Sequence, residues 1–291
     1  MNNSYPAVIK WSGSKRLVAR QLAQHFPRCE TYYEPFVGGG SMLPFANAKR
    51  GIASDIIPEL IELWNVIKND PIHVADEYKT RWQKLQAEGQ HVYYLIRDRF
   101  NKTKNCYDFL FLTRTCVNGL IRYNQQGEFN NSFHLSRPGI APETLKKQIL
   151  VWSNAIQKID FRNVGYRDCL QNARRGDFVF LDPPYGGTKD RYKKIEFNLN
   201  DFYGELERLN KIGVKWMMTF DGTAGNRTYT FAPPDSLYKR QFSIRTGNSA
   251  FIKLMEQKRD VIQESVYLNF NPRCVQSDLL NNSDDSHAIS T

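Results

Sequence analysis

One short segment of the sequence has the residue types of a site that binds an amino group. Asp182, Pro183, Pro184 and Tyr185 directly follow an apolar run at 178–181. Proline has no N–H to donate, so the backbone carbonyls stay available as acceptors beside the Asp182 carboxylate. A row of acceptors fits an amino group, and the Tyr185 ring can stack on a planar base taken out of a helix. The alternative is a turn in which the two prolines only end a strand.

A second candidate site is the glycine run 38–40, which follows the strand-like segment 31–36. Glycines after a strand let the backbone approach a ligand closely, and a following helix N-terminus offers free N–H groups. Asp55 comes 17 residues after Gly38, near the spacing of about 20 at which an acid hydrogen-bonds a ribose. The G-x-G-x-x-G spacing is absent, which disfavours a pyrophosphate site and an NAD-dependent oxidoreductase. The pattern suits a nucleoside without phosphates, and an ordinary tight turn is the alternative.

The elements around these two segments predict an α/β fold. We predict strands over 31–36, 51–54, 159–164, 178–181 and 214–220, helices over 42–49, 59–67 and 199–211, and a terminal antiparallel pair of 238–244 with 265–270. The run at 178–181 is apolar at every position, which is typical of a strand covered on both faces. Ligands of open α/β sheets bind outside the carboxyl ends of the strands. We therefore expect both candidate sites to face one crevice.

The charge of the chain indicates a polyanionic partner. The 291 residues include 40 Lys and Arg against 30 Asp and Glu, and 41% are hydrophobic, enough for a core. The last sixteen residues hold three acids and no Lys or Arg, so residues 1–275 carry 40 basic against 27 acidic side chains, a net +13. The simplest such partner is nucleic acid. A charge that only keeps the protein in solution is the alternative.

Several other classes of protein are disfavoured. No stretch approaches the roughly 18 apolar residues of a membrane span, and the N-terminus lacks the pattern of a signal peptide. We therefore predict a cytoplasmic protein that does not enter a membrane. Five cysteines are scattered without a C-x-x-C pair, which argues against a disulfide framework and a structural zinc. We predict no metal site.

From about residue 69 to 150 the pattern changes to helices with basic faces and then an irregular polar region. Residues 66–150 hold 13 basic and 8 acidic side chains, a local +5. A Gln-Gly turn between 120–123 and 128–129 predicts a β-hairpin that carries Arg122 and Asn124. A guanidinium can bond to O6 and N7 of guanine, whereas phosphate contact or solvation is the alternative for any single arginine. We expect the neighbouring basic residues to face phosphates or solvent, namely Arg97, Arg99, Lys102 and Lys104.

Four motifs, in this order, resemble those of the Dam-like DNA adenine-N6 methyltransferases, the alpha group or D12 class. They are Lys-Trp-Ser-Gly-Ser-Lys at 10–15, Glu-Pro-Phe-Val-Gly-Gly-Gly-Ser at 34–41, Arg-Tyr-Asn-Gln-Gln-Gly-Glu-Phe-Asn at 122–130 and Asp-Pro-Pro-Tyr at 182–185. The matching motifs extend over about 7–185, with a looser likeness to about 270. Each motif is modestly specific, but four in the same order make a chance match improbable.

The resemblance implies a Rossmann-like methyltransferase sheet of seven mostly parallel strands with an inserted, mainly helical recognition domain that contains the β-hairpin. Residues 1–68 and 151–272 would form the catalytic domain that binds S-adenosylmethionine, 69–150 the DNA-binding domain, and 273–291 a disordered tail. The implied reaction moves a methyl group from S-adenosylmethionine to N6 of an adenine flipped out of duplex DNA. No metal takes part in it.

The resemblance also assigns roles to individual residues. It places S-adenosylmethionine against Trp11, Lys15, Glu34, Phe36, Gly38, Gly40, Asp55 and Asp182, with Asp55 on the ribose hydroxyls. The flipped adenine would be held by Asp182, Pro183, Pro184 and Tyr185. DNA would be contacted by Lys10, Asn118, Leu120, Arg122 and Asn124. Hydrogen bonds from the amine to Asp182 and to the Pro183 carbonyl would aim the nitrogen lone pair at the sulfonium methyl, so catalysis would come from orientation and fixed dipoles.

Some positions depart from the family pattern and leave the target open, as GATC or a related short site. Val117 stands where relatives that read GATC often carry an aromatic residue. Ser12 and Ser14 stand where Ala and Gly are common, and Gly-Gly-Thr at 186–188 follows Tyr185. Cytosine-N4 transfer, adenine methylation in RNA and a catalytically silent DNA-binding regulator are the alternatives. Cytosine-N4 enzymes of this type usually have Ser, and glutamine methyltransferases Asn, at the position of Asp182. A cognate restriction endonuclease is a candidate partner, and the oligomeric state is left open.

Overall fold

A central β-sheet organises the part of the chain that the computed structural model describes, residues 5–137, 139–184, 197–224, 227–229, 232–247 and 262–272. Its strands are β1 (Cys29–Glu34), β2 (Ala48–Ser54), β3 (Ile159–Arg162), β4 (Phe178–Leu181), β5 (Lys215–Ala224), β6 (Arg227–Tyr229), β7 (Arg240–Gly247) and β8 (Ile262–Leu268). Seven strands follow one another in the order β3-β2-β1-β4-β5-β8-β7, and β6 pairs with β5 outside this row. The seven-stranded row confirms the predicted sheet.

The strands from β1 to β5 run parallel, which brings their carboxyl ends to one edge. β1 pairs in parallel with β2 and β4, β2 with β3, and β4 with β5. The register places Glu34 opposite Ala53 and Leu181 opposite Met218. β8 runs antiparallel to both β5 and β7, as predicted for the terminal pair. The segments that follow Glu34, Ser54 and Leu181 therefore leave the sheet on the same side.

Helices cover both faces of the sheet. They are α1 (Ala19–Ala23), α2 (Pro58–Asn69), α3 (Pro71–Glu88), α4 (His91–Thr103), α5 (Cys106–Thr115), α6 (Pro142–Ala155), α7 (Tyr166–Leu170) and α8 (Leu199–Ile212). In β4, Phe178 and Phe180 pack into the core that contains α1 to α6, whereas Val179 and Leu181 pack into the core of α7 and α8. The continuous apolar run is explained by these two cores, since successive side chains of a strand point to opposite faces.

The predicted helix over 42–49 is wrong. Only Leu43–Phe45 forms a short 3-10 turn, and β2 already begins at Ala48, which pairs with Cys29 of β1. Pro44 lacks the N–H that a helix interior needs, and the parallel ladder with β1 supplies hydrogen bonds to the residues that follow. By contrast, α2 contains the predicted segment 59–67, and α8 differs from the prediction by one residue.

The predicted β-hairpin is present only in a minimal form. Tyr123 and Phe129 form one isolated antiparallel bridge, without regular strands. Backbone hydrogen bonds from Asn124 N to Glu128 O (2.9 Å) and from Asn130 N to Arg122 O (3.0 Å) flank it. The turn is therefore hairpin-like, but its arms are too short to form a ladder.

The helices of segment 69–150 are anchored through buried charges. Asp108 of α5 is fully buried and accepts hydrogen bonds from Arg81 Nε of α3 (2.7 Å) and Arg99 Nε of α4 (2.7 Å). The side chain of Arg99 is still 53% exposed while it pairs with Asp108, so the expectation of a solvent-facing arginine holds beside this ion pair. Lys104 turns inward, with its Nζ 5.0 Å from the centre of the Phe100 ring.

The predicted domain limits remain a prediction. α2 ends at Asn69, next to the predicted limit, whereas α6 continues through residue 150. The predicted tail, 273–291, lies outside the described residues. Within the described ranges, none of the helices is both long and apolar enough to cross a membrane.

Candidate active site

The glycine loop after β1 is clamped between two tryptophans. Gly38 and Gly40 have φ of +44° and +65°, the left-handed region that favours glycine. A Cβ on Gly38 would overlap the Trp11 indole, and one on Gly40 would lie 2.9 Å from the Trp64 ring. Trp64 Nε1 also donates a hydrogen bond to Gly38 O at 3.0 Å. This loop can therefore contain only glycine at these two positions without moving its neighbours.

Asp55 follows β2 and faces the same loop. Its Oδ2 accepts a hydrogen bond from Gly38 N (3.2 Å), and its Oδ1 accepts one from Ile57 N (3.2 Å). Burial raises the pKa of Asp55 to about 6, against the lowering effect of these backbone donors. The predicted pairing of the Gly loop with Asp55 is therefore present as a direct contact across two adjacent strands.

Phe36 provides an apolar wall beside the loop. Its half-buried ring lies 5.6 Å from that of Tyr166, 6.0 Å from that of Phe197 and 6.1 Å from that of Phe202, measured between centroids. The first motif is tied to the second through Ser14 Oγ, 2.6 Å from Ser41 Oγ. A flat apolar surface, a glycine cradle and a carboxylate thus lie together, which is the set of groups that a nucleoside requires.

Asp182 lies at the end of β4 in a network of three elements. Its Oδ1 accepts a hydrogen bond from Thr219 Oγ1 of β5 (2.9 Å) and pairs with Lys15 Nζ (2.8 Å). Lys15 is buried, and its Nζ also donates to Gly13 O at 3.0 Å and lies 3.4 Å from Glu264 Oε2. Among the described residues, Asp182 Oδ2 accepts no hydrogen bond. One carboxylate oxygen is therefore fixed by the protein and the other is available.

The rest of the predicted Asp-Pro-Pro-Tyr site is described only in part. Pro183 is buried and Pro184 half-buried, and within the described part of the chain the Pro183 carbonyl accepts no hydrogen bond. Tyr185 and the Gly-Gly-Thr segment after it lie outside the described residues. The use of Asp182 Oδ2 and Pro183 O as paired acceptors remains a prediction, based on proline's missing N–H.

Glu34 is buried at the end of β1 and is the least exposed carboxyl group of the proposed cofactor set. Tyr32 donates its hydroxyl hydrogen to Glu34 Oε2 at 2.8 Å. Burial raises the pKa of Glu34 to about 8, and the charge of Asp182 adds to the shift, although the Tyr32 hydrogen bond opposes it. Glu34 is therefore mainly protonated at neutral pH, and it adds little charge near Asp182.

The residues predicted to contact DNA fall into two groups. The first group lies on or against the loop 117–120. Asn118 is exposed with φ of +56°, and Leu120 is half-buried. Buried Asn131 ties this loop together, because its Nδ2 donates to both Val117 O (2.9 Å) and Leu120 O (2.8 Å). The half-buried side chain of Lys10 lies against Gly119, and burial followed by repulsion from Arg114 lowers the pKa of Lys10.

The second group is the turn that carries Arg122 and Asn124. Arg122 is exposed, and its Nε donates to Asn130 Oδ1 at 2.9 Å, which fixes the direction of the guanidinium. Asn124 accepts hydrogen bonds at Oδ1 from Gln126 N (3.0 Å) and Glu128 N (2.9 Å), and its Nδ2 donates to Glu128. Arg122 is thus presented outward, whereas the side chain of Asn124 shapes the turn.

Sequence reasoning missed Thr219, Asn131 and Glu264. Thr219 has a weak signal, since it is a polar residue inside the apolar run 214–220 that we predicted as a buried strand. Asn131 and Glu264 have none, because their roles depend on contacts with chain segments 11 or more residues away. Neither residue lies in a local sequence pattern that distinguishes it from an ordinary polar surface residue.

Comparison with known proteins identifies the family. A model of the D12 class N6 adenine-specific DNA methyltransferases matches residues 11–247. The DNA adenine methylase of Escherichia coli strain K12 is 32% identical over 203 residues, which cover 67% of this chain and 70% of that protein. The Type II methyltransferase M.MjaIII of Methanocaldococcus jannaschii is 30% identical over 244 residues, or 72% of this chain and 82% of that protein. The chain therefore belongs to the D12 class of N6 adenine-specific DNA methyltransferases.

Proposed function

We propose that this enzyme transfers the methyl group of S-adenosylmethionine to N6 of an adenine flipped out of duplex DNA, within a short site such as GATC or a related sequence. The observation that carries the proposal is the arrangement at Asp182. Its Oδ1 is held by Lys15 and Thr219, whereas no residue in the described part of the chain donates a hydrogen bond to its Oδ2. The Pro183 carbonyl is the next acceptor along the chain. Two acceptors at the carboxyl end of a parallel strand are what an exocyclic amine, a donor of two hydrogens, requires.

The residues of the glycine loop fit the adenosyl part of S-adenosylmethionine. Asp55 would accept the ribose hydroxyls, and Phe36 would lie against the adenine ring. Gly38 and Gly40 let the loop pack directly against Trp11 and Trp64, because any side chain there would overlap these rings. The cofactor supplies a methyl group made electrophilic by its positive sulfonium. Trp11 beside the glycine loop, Lys15 beside Asp182 and Glu34 at the end of β1 complete the proposed cofactor set.

Asp182 and Pro183 would act by orienting the target amine. The lone pair of an adenine amine is delocalised into the ring, so the amine is a poor nucleophile. Hydrogen bonds from both amine hydrogens to Asp182 Oδ2 and Pro183 O would favour tetrahedral geometry and direct the lone pair toward the methyl group. Fixed acceptors of this kind lower a barrier because they need no reorganisation during the reaction. Tyr185 would stack on the flipped base.

The loop at 117–120 and the turn at 122–130 would contact the DNA. Arg122 is exposed and held in direction by Asn130, which suits bidentate recognition of a guanine in the major groove. Asn118 and Leu120 lie on the loop that Asn131 braces, and Lys10 packs against Gly119 of this loop. Asn124 would contribute by stabilising the conformation of the turn. The excess positive charge of the chain supplies the attraction to phosphates.

The proposal is tested by the Asp182→Ala variant. We expect no detectable N6-methyladenine after nucleoside digestion of duplex DNA incubated with the variant and S-adenosylmethionine, because the amine loses its fixed acceptor. The Kd for DNA should stay within about threefold of the wild-type value, since phosphate contacts dominate affinity. Asp76→Ala, at an exposed position of α3, is the control and should retain full activity.

Two results would overturn the assignment. Wild-type turnover by Asp182→Ala would show that Asp182 does not orient the amine. N4-methylcytosine as the wild-type product would identify a cytosine-specific enzyme instead. Calorimetry separates a third case, because a silent DNA-binding regulator on this scaffold would bind DNA but not S-adenosylmethionine.

A further inference from the structure

Glu264 is a buried carboxylate that none of the four sequence motifs contains. It lies on β8, beyond the residues 11–247 that match the family model. Its side chain is only 12% exposed, and its Oε2 is 3.4 Å from Lys15 Nζ. A carboxylate removed from water costs several kcal/mol unless a charged partner compensates it. Because Glu264 lies beside the ion pair of Lys15 with Asp182, we look for the reason for its burial in that ion pair.

The fold places Glu264 beside the active site through the register of the terminal strands. Val266 lies opposite Thr219 of β5, the residue that donates to Asp182, while Glu264 lies opposite Gly222. The register shifts between Phe220 and Gly222, and such irregularities re-aim side chains at the edge of a site. Glu264 and Val266 point to the same face of β8, and Val266 packs into the core that contains α1 to α6. Glu264 thus faces the core, at the position where the Lys15 side chain approaches β8.

Lys15 Nζ lies near three oxygen atoms from three parts of the chain. They are Gly13 O at 3.0 Å, Asp182 Oδ1 at 2.8 Å and Glu264 Oε2 at 3.4 Å. A lysine ammonium has three hydrogens on a flexible four-carbon chain, so a single partner leaves it free to rotate. The hydrogen bond to Gly13 O and the ion pairs with Asp182 and Glu264 restrict its position. This arrangement also divides one positive charge between two carboxylates.

We infer that Glu264 is a positioning residue for methyl transfer, which holds the Lys15 ammonium against Asp182 Oδ1 and takes up part of its charge. This inference rests on the proposed role of Asp182. With Lys15 fixed from the far side, Oδ1 stays occupied and Oδ2 keeps facing the amine. Because Glu264 shares the ammonium, Asp182 is not fully neutralised and remains a strong acceptor for the amine hydrogens.

The substitution Glu264→Gln tests this role, because it keeps the size and one acceptor oxygen but removes the charge. At saturating S-adenosylmethionine, we expect the single-turnover rate of N6 methylation to fall by about tenfold to a hundredfold, the range for a misplaced reacting group. The Kd for DNA and the urea midpoint should change little. Glu264→Asp keeps the charge and should recover part of the rate. Gln263→Ala, at an exposed neighbouring position, should match the wild type.

The outcomes separate this inference from the proposed function. A wild-type enzyme that makes no N6-methyladenine overturns the proposed function. An active wild type with a Glu264→Gln rate within about twofold of it overturns only the role of Glu264, since such a change is under about 0.4 kcal/mol. A rate loss matched by equal losses in DNA affinity and urea midpoint also overturns it, because a merely structural group would produce that pattern. If Glu264→Gln unfolds, the single-turnover rate of Glu264→Asp is compared with the wild type instead, because the shorter side chain withdraws the carboxylate from Lys15; an unchanged rate then overturns the role of Glu264.

Discussion

At the scale of single residues, the site combines carboxyl groups in different protonation states. Glu34 is buried with a pKa raised to about 8, whereas Asp55 has a pKa raised to about 6. At pH 7 the first is mainly neutral and the second mainly charged. Burial is the main cause in both, and the two backbone donors to Asp55 limit its shift. The two groups are therefore suited to different tasks, Glu34 to packing beside Asp182 and Asp55 to accepting hydroxyl hydrogens.

The Glu34 carboxyl should make stability fall with rising pH. Folded Glu34 keeps its proton up to a pKa of about 8, whereas the unfolded group releases it near 4.5. Its contribution is complete below 4.5 and is lost as pH rises toward 8, with a slope of up to about 1.4 kcal/mol per pH unit. Glu34→Gln imitates the protonated form and should remove this slope. Urea unfolding of both proteins between pH 5 and 9 measures it, and parallel curves would contradict the assignment.

The Asp55 carboxylate should make cofactor binding depend on pH in the opposite direction. A charged acceptor binds hydroxyls more strongly than a protonated one. The Kd for S-adenosylmethionine should therefore increase as pH falls through about 6. Asp55→Asn should weaken binding by about tenfold or more, since hydrogen bonds to charged groups contribute about 1.5–3 kcal/mol.

Isothermal calorimetry at pH 5 to 8 measures both effects of the Asp55 change. Asp168→Asn, at an exposed position of α7, is the matched control and should bind like the wild type. An Asp55→Asn protein with unchanged affinity at pH 8 would show that this carboxylate does not contact the ribose.

At the scale of elements, the loop at 117–120 depends on one buried amide. Asn131→Ala would leave Val117 O and Leu120 O without their shared donor. An unsatisfied buried group costs about 1–3 kcal/mol, and part of that cost should appear as a looser loop. We expect the Kd for duplex DNA to increase by roughly tenfold, while the Kd for S-adenosylmethionine is unchanged.

Fluorescence anisotropy with a labelled duplex measures the Asn131 effect. Asn154→Ala, at an exposed position of α6, should bind DNA as the wild type does. Equal weakening of DNA and cofactor binding in Asn131→Ala would point to general destabilisation rather than to the loop.

Local patterns predicted the elements that depend on local chemistry. The strand β4 was predicted because burial on two faces requires a continuous apolar run. The helix α2 was predicted because burial on one face requires apolar residues at helical spacing. The helix predicted over 42–49 failed because the pairing of Ala48 with Cys29 is not visible locally. The ion pair of Lys15 with Asp182 joins residues from two separate motifs. The residue types at 182–185 suggested Asp182 and the family resemblance suggested Lys15, but neither indicated their contact.

At the scale of the whole molecule, the net positive charge and the recognition of a specific base depend on different residues. Residues 1–275 carry a net +13, but Arg81 and Arg99 neutralise a buried carboxylate and Lys104 lies over an aromatic ring. Arg99 and Arg122 are both exposed. Some of the cations in this net charge are therefore engaged within the protein, and under the proposed function Arg122 is the residue that reads a base.

The Arg122→Ala variant separates base reading from phosphate contact. Loss of a bidentate contact to guanine should weaken binding to the cognate duplex by about 1–3 kcal/mol and relax the preference at one position, with the salt dependence nearly unchanged. A titration of Kd against salt on cognate and random duplexes measures this. Uniform weakening on both duplexes, with the slope reduced by about one, would show a phosphate contact instead.

The central claim is that this chain methylates N6 of adenine at one short DNA site through Asp182. Methylation-sensitive sequencing of DNA from cells that express the wild type or Asp182→Ala tests it in one measurement, because it returns both the modified base and its sequence context. We predict N6-methyladenine at a single short motif with the wild type and none above background with Asp182→Ala. The same pattern in both strains, or N4-methylcytosine in place of N6-methyladenine, would contradict the claim.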